Sequence, residues 1–318
     1  MTEKSVFEPA NPAGVPTLNP PATQPVDPNE YYQPIPISRS SPKRRRMGMG
    51  CGLLVLPLLG VLAVLALYFF APLRTNILIL GIDRAPDGSA MGRSDTNILL
   101  SINPLRPEVK MLSIPRDLWV NIPGVGENRI NTAHFFAEIE QPGSGPRATL
   151  ETIRVNFGLD VPYYVRLRFD SVQPIVEAMG GITIELDQPT AGYPPGRHTL
   201  NGEQALAFAR NRSGTDDFYR MAQGQLLFKA VFRQLLNPAS WGRLPAVAAA
   251  ALESVDTNLP VWLWPRLGLA LLRAGPDGID NRTLDREMVT PFTTSGGANV
   301  LLPNWERINP LLQEMFGQ

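Results

Sequence analysis

The chain has 318 residues and carries 29 Lys and Arg against 29 Asp and Glu, so its formal charge is zero. That balance excludes a general electrostatic attraction to nucleic acid. A hydrophobic fraction of 44% can fill a sizeable core, enough for one large domain or two small ones, while the single Cys51 excludes an intramolecular disulfide framework and any cysteine-rich zinc site.

Residues 1–42 hold ten prolines, few aliphatics and no periodicity. Such a segment cannot bury enough surface to order itself, and it reads as a disordered tail in which Tyr31-Tyr32 is an incidental pair. Lys43, Arg44, Arg45 and Arg46 then precede an uncharged apolar run over residues 47–71, long enough to cross a bilayer as a helix. The basic cluster on the N-terminal side puts the tail in the cytoplasm and everything after Arg74 outside. Residues 43–73 therefore read as a signal-anchor, because forty-odd residues stand ahead of the run and no clear small-residue cleavage site follows it. Cys51 is a small apolar residue within that span. The expected location is a single pass through a membrane, with residues 74–318 as one extracytoplasmic domain.

The informative stretch is residues 76–117. Asn76-Ile77-Leu78-Ile79-Leu80-Gly81 is too short for a helix and rich in branched apolar residues, so it predicts a buried strand. Pro86, Asp87-Gly88 and Gly92 mark a loop. Residues 95–102 alternate into a second strand, Pro104 and Pro107 punctuate a turn, and residues 109–114 form a third strand that stops at Pro115-Arg116-Asp117. If these run up, down and up, the end of the first, the start of the second and the end of the third share one sheet edge. That edge gathers Asp83, Asp95 and Arg116.

Residues 119–131 read as a loop that carries Arg129, Asn131 and the nearby His134, the last taken as a loop or partly packed histidine. Residues 147–157 show helical spacing ended by Gly158, residues 163–169 alternate as a half-buried strand, and Asp170-Ser171 reads as the cap of a helix closed by Gly180-Gly181. A strand at 182–186 follows. Strand, helix and strand in this order predict a right-handed crossover and a mixed central sheet flanked by helices. After a proline-rich loop at 189–197, Asn201-Gly202-Glu203-Gln204 opens a helix up to Arg210-Asn211-Arg212. Arginines two apart point to opposite sides of a helix, so Arg210 and Arg212 serve one site only if the helix stops near Ala209. Residues 223–236 form an amphipathic helix, and residues 237–318, with helical stretches near 244–254 and 263–273 and from Trp305, form a packing shell.

Arginine forks bind phosphate oxygens in a bidentate way, and carboxylates beside them suit a Mg2+ ion that bridges the same phosphates. Structural ion pairs that pin loops are the competing reading. No Gly-x-x-x-x-Gly-Lys-Ser/Thr loop is present, so a nucleoside-triphosphate cradle is unsupported. With only His134 and His198 available, a Ser-His-Asp triad has little to build on.

In order and spacing, Gly81-Ile82-Asp83-Arg84, Gly92-Arg93-Ser94-Asp95-Thr96, Ser113-Ile114-Pro115-Arg116-Asp117, Arg129-Ile130-Asn131, the run from Asn201 to Arg212, and Asp217-Phe218-Tyr219-Arg220 resemble the LytR-CpsA-Psr family. The resemblance covers residues 76 to about 237. It implies an α/β sandwich whose interior holds a prenyl chain, preceded by one transmembrane helix. It also implies a Mg2+-dependent phosphotransferase that takes a phosphoglycan from a polyprenyl-pyrophosphate carrier and joins it to a cell-wall acceptor such as peptidoglycan. On that resemblance Asp83 and Asp95 hold the metal, and Arg93, Arg116, Arg129, Arg210, Arg212, Arg220 and Gln225 hold the pyrophosphate. Asp95 or Asp117 takes the acceptor's proton. A membrane-anchored module that binds polyprenyl pyrophosphate without turnover, or hydrolyses it, is the alternative. Two departures mark this chain: Arg84 follows Asp83 directly, and Met221-Ala222-Gln223-Gly224-Gln225 lacks the second arginine and paired glutamines usual after Arg220.

Overall fold

The computed structural model describes residues 49–71, 73–83, 92–106, 108–211 and 217–317. The tail at 1–42, the basic cluster at 43–46, Arg84 and Arg212 lie outside them. Two compact units divide the chain, residues 1–56 and residues 57–318. The first contributes only the start of helix α1 (Met49–Phe70) to the described residues. No helix is long and apolar enough to cross a membrane among the described residues, where only residues 55–70 of α1 offer described side chains.

The sheet begins with three strands of alternating direction, β1 (Thr75–Ile82), β2 (Ser94–Asn103) and β3 (Glu108–Ile114), as the apolar periodicity predicts. Each is apolar on both sides because both faces are covered. Leu78, Leu80, Leu99 and Leu112 point to one layer, Ile77, Ile79, Ile98 and Met111 to the other. Burying each such side chain contributes about 1.5–3 kcal/mol.

The segment expected to be a loop is a hairpin, β4 (Trp119–Ile122) with β5 (Gly126–Arg129). Its alternation, with Val120 and Ile122 buried, spans four residues and is too short to register as a pattern. Helix α2 (Asn131–Glu140) follows and has no side-chain cap at its start, the signal by which a helix beginning is read from sequence. Next come α3 (Gly145–Phe157), β6 (Tyr163–Arg168), a 3-10 turn at Phe169–Ser171 and α4 (Val172–Met179).

The expected crossover from β6 through α4 is not formed. Strand β7 (Ile182–Leu186) leaves the central sheet and pairs only with β8 (Gly196–Leu200), which occupies the end of the expected proline-rich loop. The sheet is mixed for another reason: β6 joins β1 in parallel, and a later strand joins β3 in parallel.

Helix α5 (Gly202–Arg210) opens on a complete capping box between Asn201 and Gln204. It is followed by α6 (Asp217–Leu236), α7 (Leu244–Ser254), β9 (Val255–Thr257), α8 (Trp264–Ala274), β10 (Ile279–Thr283), the hairpin β11 (Val289–Thr293) and β12 (Asn299–Pro303), and α9 (Trp305–Phe316). The sheet order is β10-β3-β2-β1-β6-β9. One face packs against α3 and α9, the other against α6 and α8, and α4, α5, α7 and the β7-β8 hairpin close over α6. This is the mixed sheet flanked by helices that the sequence predicts.

Candidate functional site at the sheet edge

The site is built where β1 ends, β2 begins and β3 ends. Register sets its geometry: Gly81 pairs with Thr96 and Ile82 with Ser94, leaving Asp95 as the extra residue of a β-bulge. In a regular strand Asp95 and Thr96 would face opposite layers. Here both line one cavity, because a bulge re-aims a side chain. Parallel pairing of Ile82 with Arg168 brings the turn after β6 to the same edge.

An alternating line of charge results. Arg220 reaches Asp95 at 3.5 Å, Asp95 accepts from Arg116 at 2.9 Å, and Arg116 lies 3.6 Å from Asp117. Asp117 in turn sits 3.4 Å from Arg129. Beside this line, one nitrogen of Arg210 bridges Asp170 at 2.7 Å and Asp83 at 3.3 Å. The Asp95 side chain is the most buried of these aspartates, 11% exposed. Four arginines thus face four aspartates, and a guanidinium carries five N–H donors in a fork that matches phosphate oxygens.

Of the residues expected at one site, the structure brings together Asp83, Asp95, Arg116, Asp117, Arg129, Arg210 and Arg220. Helix α5 ends at Arg210, one residue past the expected stop; Arg212, the other arginine of that expectation, lies outside the described residues. Arg93 is exposed with its guanidinium 5.6 Å from the Phe135 ring centre, and it makes no ion pair among the described residues. Gln225 does not join the cluster. Its amide nitrogen donates to Ser113 Oγ and Thr283 Oγ1, and its carbonyl oxygen accepts from Asn281, so it fastens α6 to β3 and β10.

Asp170 is a member the sequence reading treats as a helix cap. The start of α4 has no side-chain cap, and the carboxylate turns to Arg210 instead. Its position at a strand end was the available signal, but nothing in the sequence says that β6 lies beside β1. Asn299 is a second such residue, accepting from Arg129 through its backbone carbonyl at 2.7 Å.

Behind the charged edge lies an apolar cavity of about 240 Å3. Ile79, Ile98 and Phe169 form its sheet side, Leu227, Phe228 and Val231 its helix side, and Asp95, Arg168 and Arg220 its polar rim. Gly81 admits a close approach of β2, while Gly224 leaves open space on the cavity's helix side. A Cβ on Gly81 would stand 2.8 Å from Thr96 Cβ, whereas one on Gly224 would meet nothing nearer than Thr96 Cγ2 at 4.0 Å.

A second, buried network holds the other side of the edge. His134, fully buried on α2, has Nδ1 2.9 Å from the Gly92 carbonyl and Nε2 3.2 Å from an Arg166 nitrogen. Arg166 can only donate, so Nε2 accepts and the proton sits on Nδ1, which donates to Gly92. Burial pushes the imidazole below its ordinary 6.5, against the Gly92 carbonyl and Glu138, which favour the charged form. For Glu138, burial works against the charge but is outweighed by the Gly143 N–H, Arg166 and the Gly145 N–H, which hold the carboxyl below its usual range. The loop histidine expected from sequence is instead the pin beneath Gly92 and Arg93.

Oxygen donors from Asp83 and Asp95 are of the class that suits Mg2+, which is commonly held by one or two carboxylates together with substrate phosphates. Among the described residues no cluster of three or more metal-ligating side chains forms a complete protein cage. Two carboxylates of this kind are donors suited to an ion that substrate phosphates also ligate.

An α/β sandwich with an arginine-aspartate edge over an apolar cavity is the class that fold and site define. The profile of the LytR_cpsA_psr family matches residues 73–315, and the chain belongs to that family. It is 45% identical over 190 residues to the polyisoprenyl-teichoic acid–peptidoglycan teichoic acid transferase TagU of Oceanobacillus iheyensis, an alignment covering 58% of each chain. It is 27% identical over 195 residues to the regulatory protein MsrR of Staphylococcus aureus, covering 59% of this chain and 57% of that one. The matches therefore span less than three-fifths of these relatives' length. The crystal structure of B. subtilis TagV superposes with a TM-score of 0.64 at 26% identity, over 77% of this chain and 98% of that one. The structure of TagT bound to LI-WTA, at 23% identity and a TM-score of 0.60 over 77% and 91% of the chains, shares the fold.

Proposed function

We propose that this chain transfers a phosphoglycan from a polyprenyl-pyrophosphate carrier to a cell-wall hydroxyl, such as one on peptidoglycan. The observation that carries the proposal is the continuity of the apolar cavity with its charged rim, since a prenyl pyrophosphate is apolar along its length and doubly phosphorylated at its head. TagU, named as a transferase between a polyisoprenyl-linked polymer and peptidoglycan, supports the same reading.

In this mechanism Arg116, Arg210 and Arg220, with Arg93 and Arg129 at the rim, bind the pyrophosphate oxygens and stabilise the charge that grows as the bridge opens. The acceptor hydroxyl oxygen attacks the phosphorus bearing the glycan, a new P–O bond forms, and the bridging P–O bond breaks. Polyprenyl phosphate leaves. Asp95 or Asp117, both paired with Arg116, takes the hydroxyl proton. Asp83 and Asp95 would hold Mg2+, which when bound supplies further charge neutralisation on the phosphates. Apolar walls exclude water and so favour transfer over hydrolysis.

The protein is anchored, in this proposal, by α1 as a single span with residues 1–42 in the cytoplasm and residues 74–318 outside. The helix has 22 residues and no charge, about 33 Å of rise against a hydrocarbon core of roughly 30 Å. The second reading, a regulatory module that holds the same lipid without turnover, is favoured by the name of MsrR.

Mass spectrometry of lipid co-purified with the full chain, followed by incubation with wall acceptors and Mg2+, tests both. Transfer is expected for the native chain and lost in Asp95→Ala. Bound lipid with no transfer under any acceptor supports the regulatory reading, turnover in Asp95→Ala overturns the role of Asp95, and the absence of any prenyl phosphate overturns the proposal.

A further inference from the structure

We propose that residues around the exit of α1 form a collar that lies in the lipid–water interface, so that the domain docks on the bilayer and does not swing on a tether. This rests on the reading of α1 as a membrane span.

Four residues separate α1 from β1, and Ala71 and Leu73 among them are clamped. The Tyr68 hydroxyl donates to the Trp262 carbonyl. Arg266, itself buried, donates from one nitrogen to the carbonyls of Ala71 at 2.7 Å and Leu73 at 2.9 Å. The Arg273 guanidinium lies 5.1 Å from the Phe70 ring centre and also donates to the Pro104 carbonyl at 2.7 Å. Two arginines of α8 thus fasten the last turn of the apolar helix and its exit to the turn between β2 and β3. The described exit residues Ala71 and Leu73 are therefore held against the domain.

Around that clamp the surface is apolar. Leu73, Leu105, Val261, Trp262, Trp264 and Leu272 are exposed, Val261 at 72% and Trp262 at 60%. They account for six of the thirteen large apolar side chains exposed outside α1 among the described residues. Single exposed apolar side chains are ordinary; a concentration of them is not. This one sits where the apolar helix leaves the domain, and continuity with that helix identifies the occupant as lipid. Tryptophan rings favour the interfacial layer, where an apolar body and a polar N–H are both accommodated. Arg74 and Arg106, exposed beside the patch, can reach the phosphates of lipid headgroups.

Docking has a consequence for the site. The charged edge is at the far end of β1 from the collar, eight residues along the strand, or about 26 Å at roughly 3.3 Å per residue. A docked collar holds that edge at a set height over the membrane, where a lipid head drawn up the cavity and a wall acceptor can meet.

The test uses the full chain with Cys51→Ser, reconstituted in vesicles of phosphatidylcholine and phosphatidylglycerol. Single-cysteine variants Val61→Cys, Trp262→Cys, Leu272→Cys and Val125→Cys each carry an environment-sensitive fluorophore, read by quenching from lipid-borne nitroxides and from aqueous iodide. The expected result is lipid quenching at 61, 262 and 272, severalfold above that at 125, with iodide quenching dominant only at 125. Lipid at 61 with water at 262 and 272 overturns the collar while leaving the span intact. Water at 61 overturns the span and the collar with it. Shielding of 262 and 272 from both quenchers means that a protein surface, a second copy or a partner, covers the patch, and this too overturns the proposal.

Discussion

Glu138→Ala is the sharpest test of how the edge is held in place. The Glu138 side chain is only 4% exposed and accepts from the Gly143 N–H at 2.8 Å, the Gly145 N–H at 3.1 Å and Arg166 at 2.6 Å. Removing it orphans two backbone donors at the start of α3 and leaves Arg166 facing His134 with Asp256 as its remaining carboxylate. Breaking a buried pair in this way costs about 3–5 kcal/mol. At roughly 2–3 °C per kcal/mol for a domain of this size, the melting temperature should fall on the order of 10 °C. Glu138→Gln keeps one acceptor oxygen and should lose less than half as much. The control is Arg154→Ala, which removes the 2.5 Å contact to Glu151 on the same face of α3. Both of those side chains are exposed, so melting should not change resolvably despite the shorter distance. Equal melting shifts in Glu138→Ala and Arg154→Ala, read by differential scanning calorimetry at pH 7, would refute the argument that burial decides which ion pair matters.

Further outcomes follow from the same contacts. His134 has a folded pKa below its ordinary 6.5, so its contribution to stability is complete above pH 6.5 and lost as pH falls through the folded value. His134→Asn, whose amide can replace the donor to Gly92, should flatten the melting profile below about pH 6.5 in thermal scans; an unchanged slope would show that His134 does not set it. Gly224→Leu adds a side chain into open cavity space and removes a helix-interior glycine, so melting should hold steady or rise by about 1 kcal/mol while co-purified prenyl lipid is lost. Lipid retained at native levels would place the chain elsewhere. Gly81→Ala drives a methyl group into Thr96 and Phe169, and about 1–3 kcal/mol should be lost on chemical denaturation. Arg210→Lys keeps the charge and a single nitrogen able to bridge Asp83 and Asp170, but not the planar fork that engages phosphate oxygens; transfer should fall with little change in melting, and full transfer would remove Arg210 from the site.

Much of this site was legible in the sequence, for a local reason. Apolar runs of six to eight residues bounded by Gly81, Pro104 and Pro115 specify three short strands, and short connections force neighbouring strands to alternate in direction, so Asp83, Asp95 and Arg116 had to share an edge. Asn201 and Gln204 likewise announce their helix, because a capping box lies within four residues. The apolar run at residues 47–71 and the balanced charge are equally local properties.

What the tertiary structure decided depends on residues far apart in the chain. Strand β6 lies beside β1 although some eighty residues separate them, and that pairing, invisible in either segment, turns Asp170 from a cap into a partner of Arg210. The bulge at Asp95 exists only in the register between β1 and β2. Gln225, placed with the phosphate ligands by its position after Arg220, is drawn to Ser113, Thr283 and Asn281, since a buried amide must satisfy its donors and acceptor wherever the fold supplies them. His134 becomes a pin for the same reason: its two nitrogens meet Gly92 and Arg166 from other elements. Sequence determines which short segments form and which charges end them, because those are governed by near neighbours. Packing alone decides which ends meet, because that is settled by contacts made across the chain.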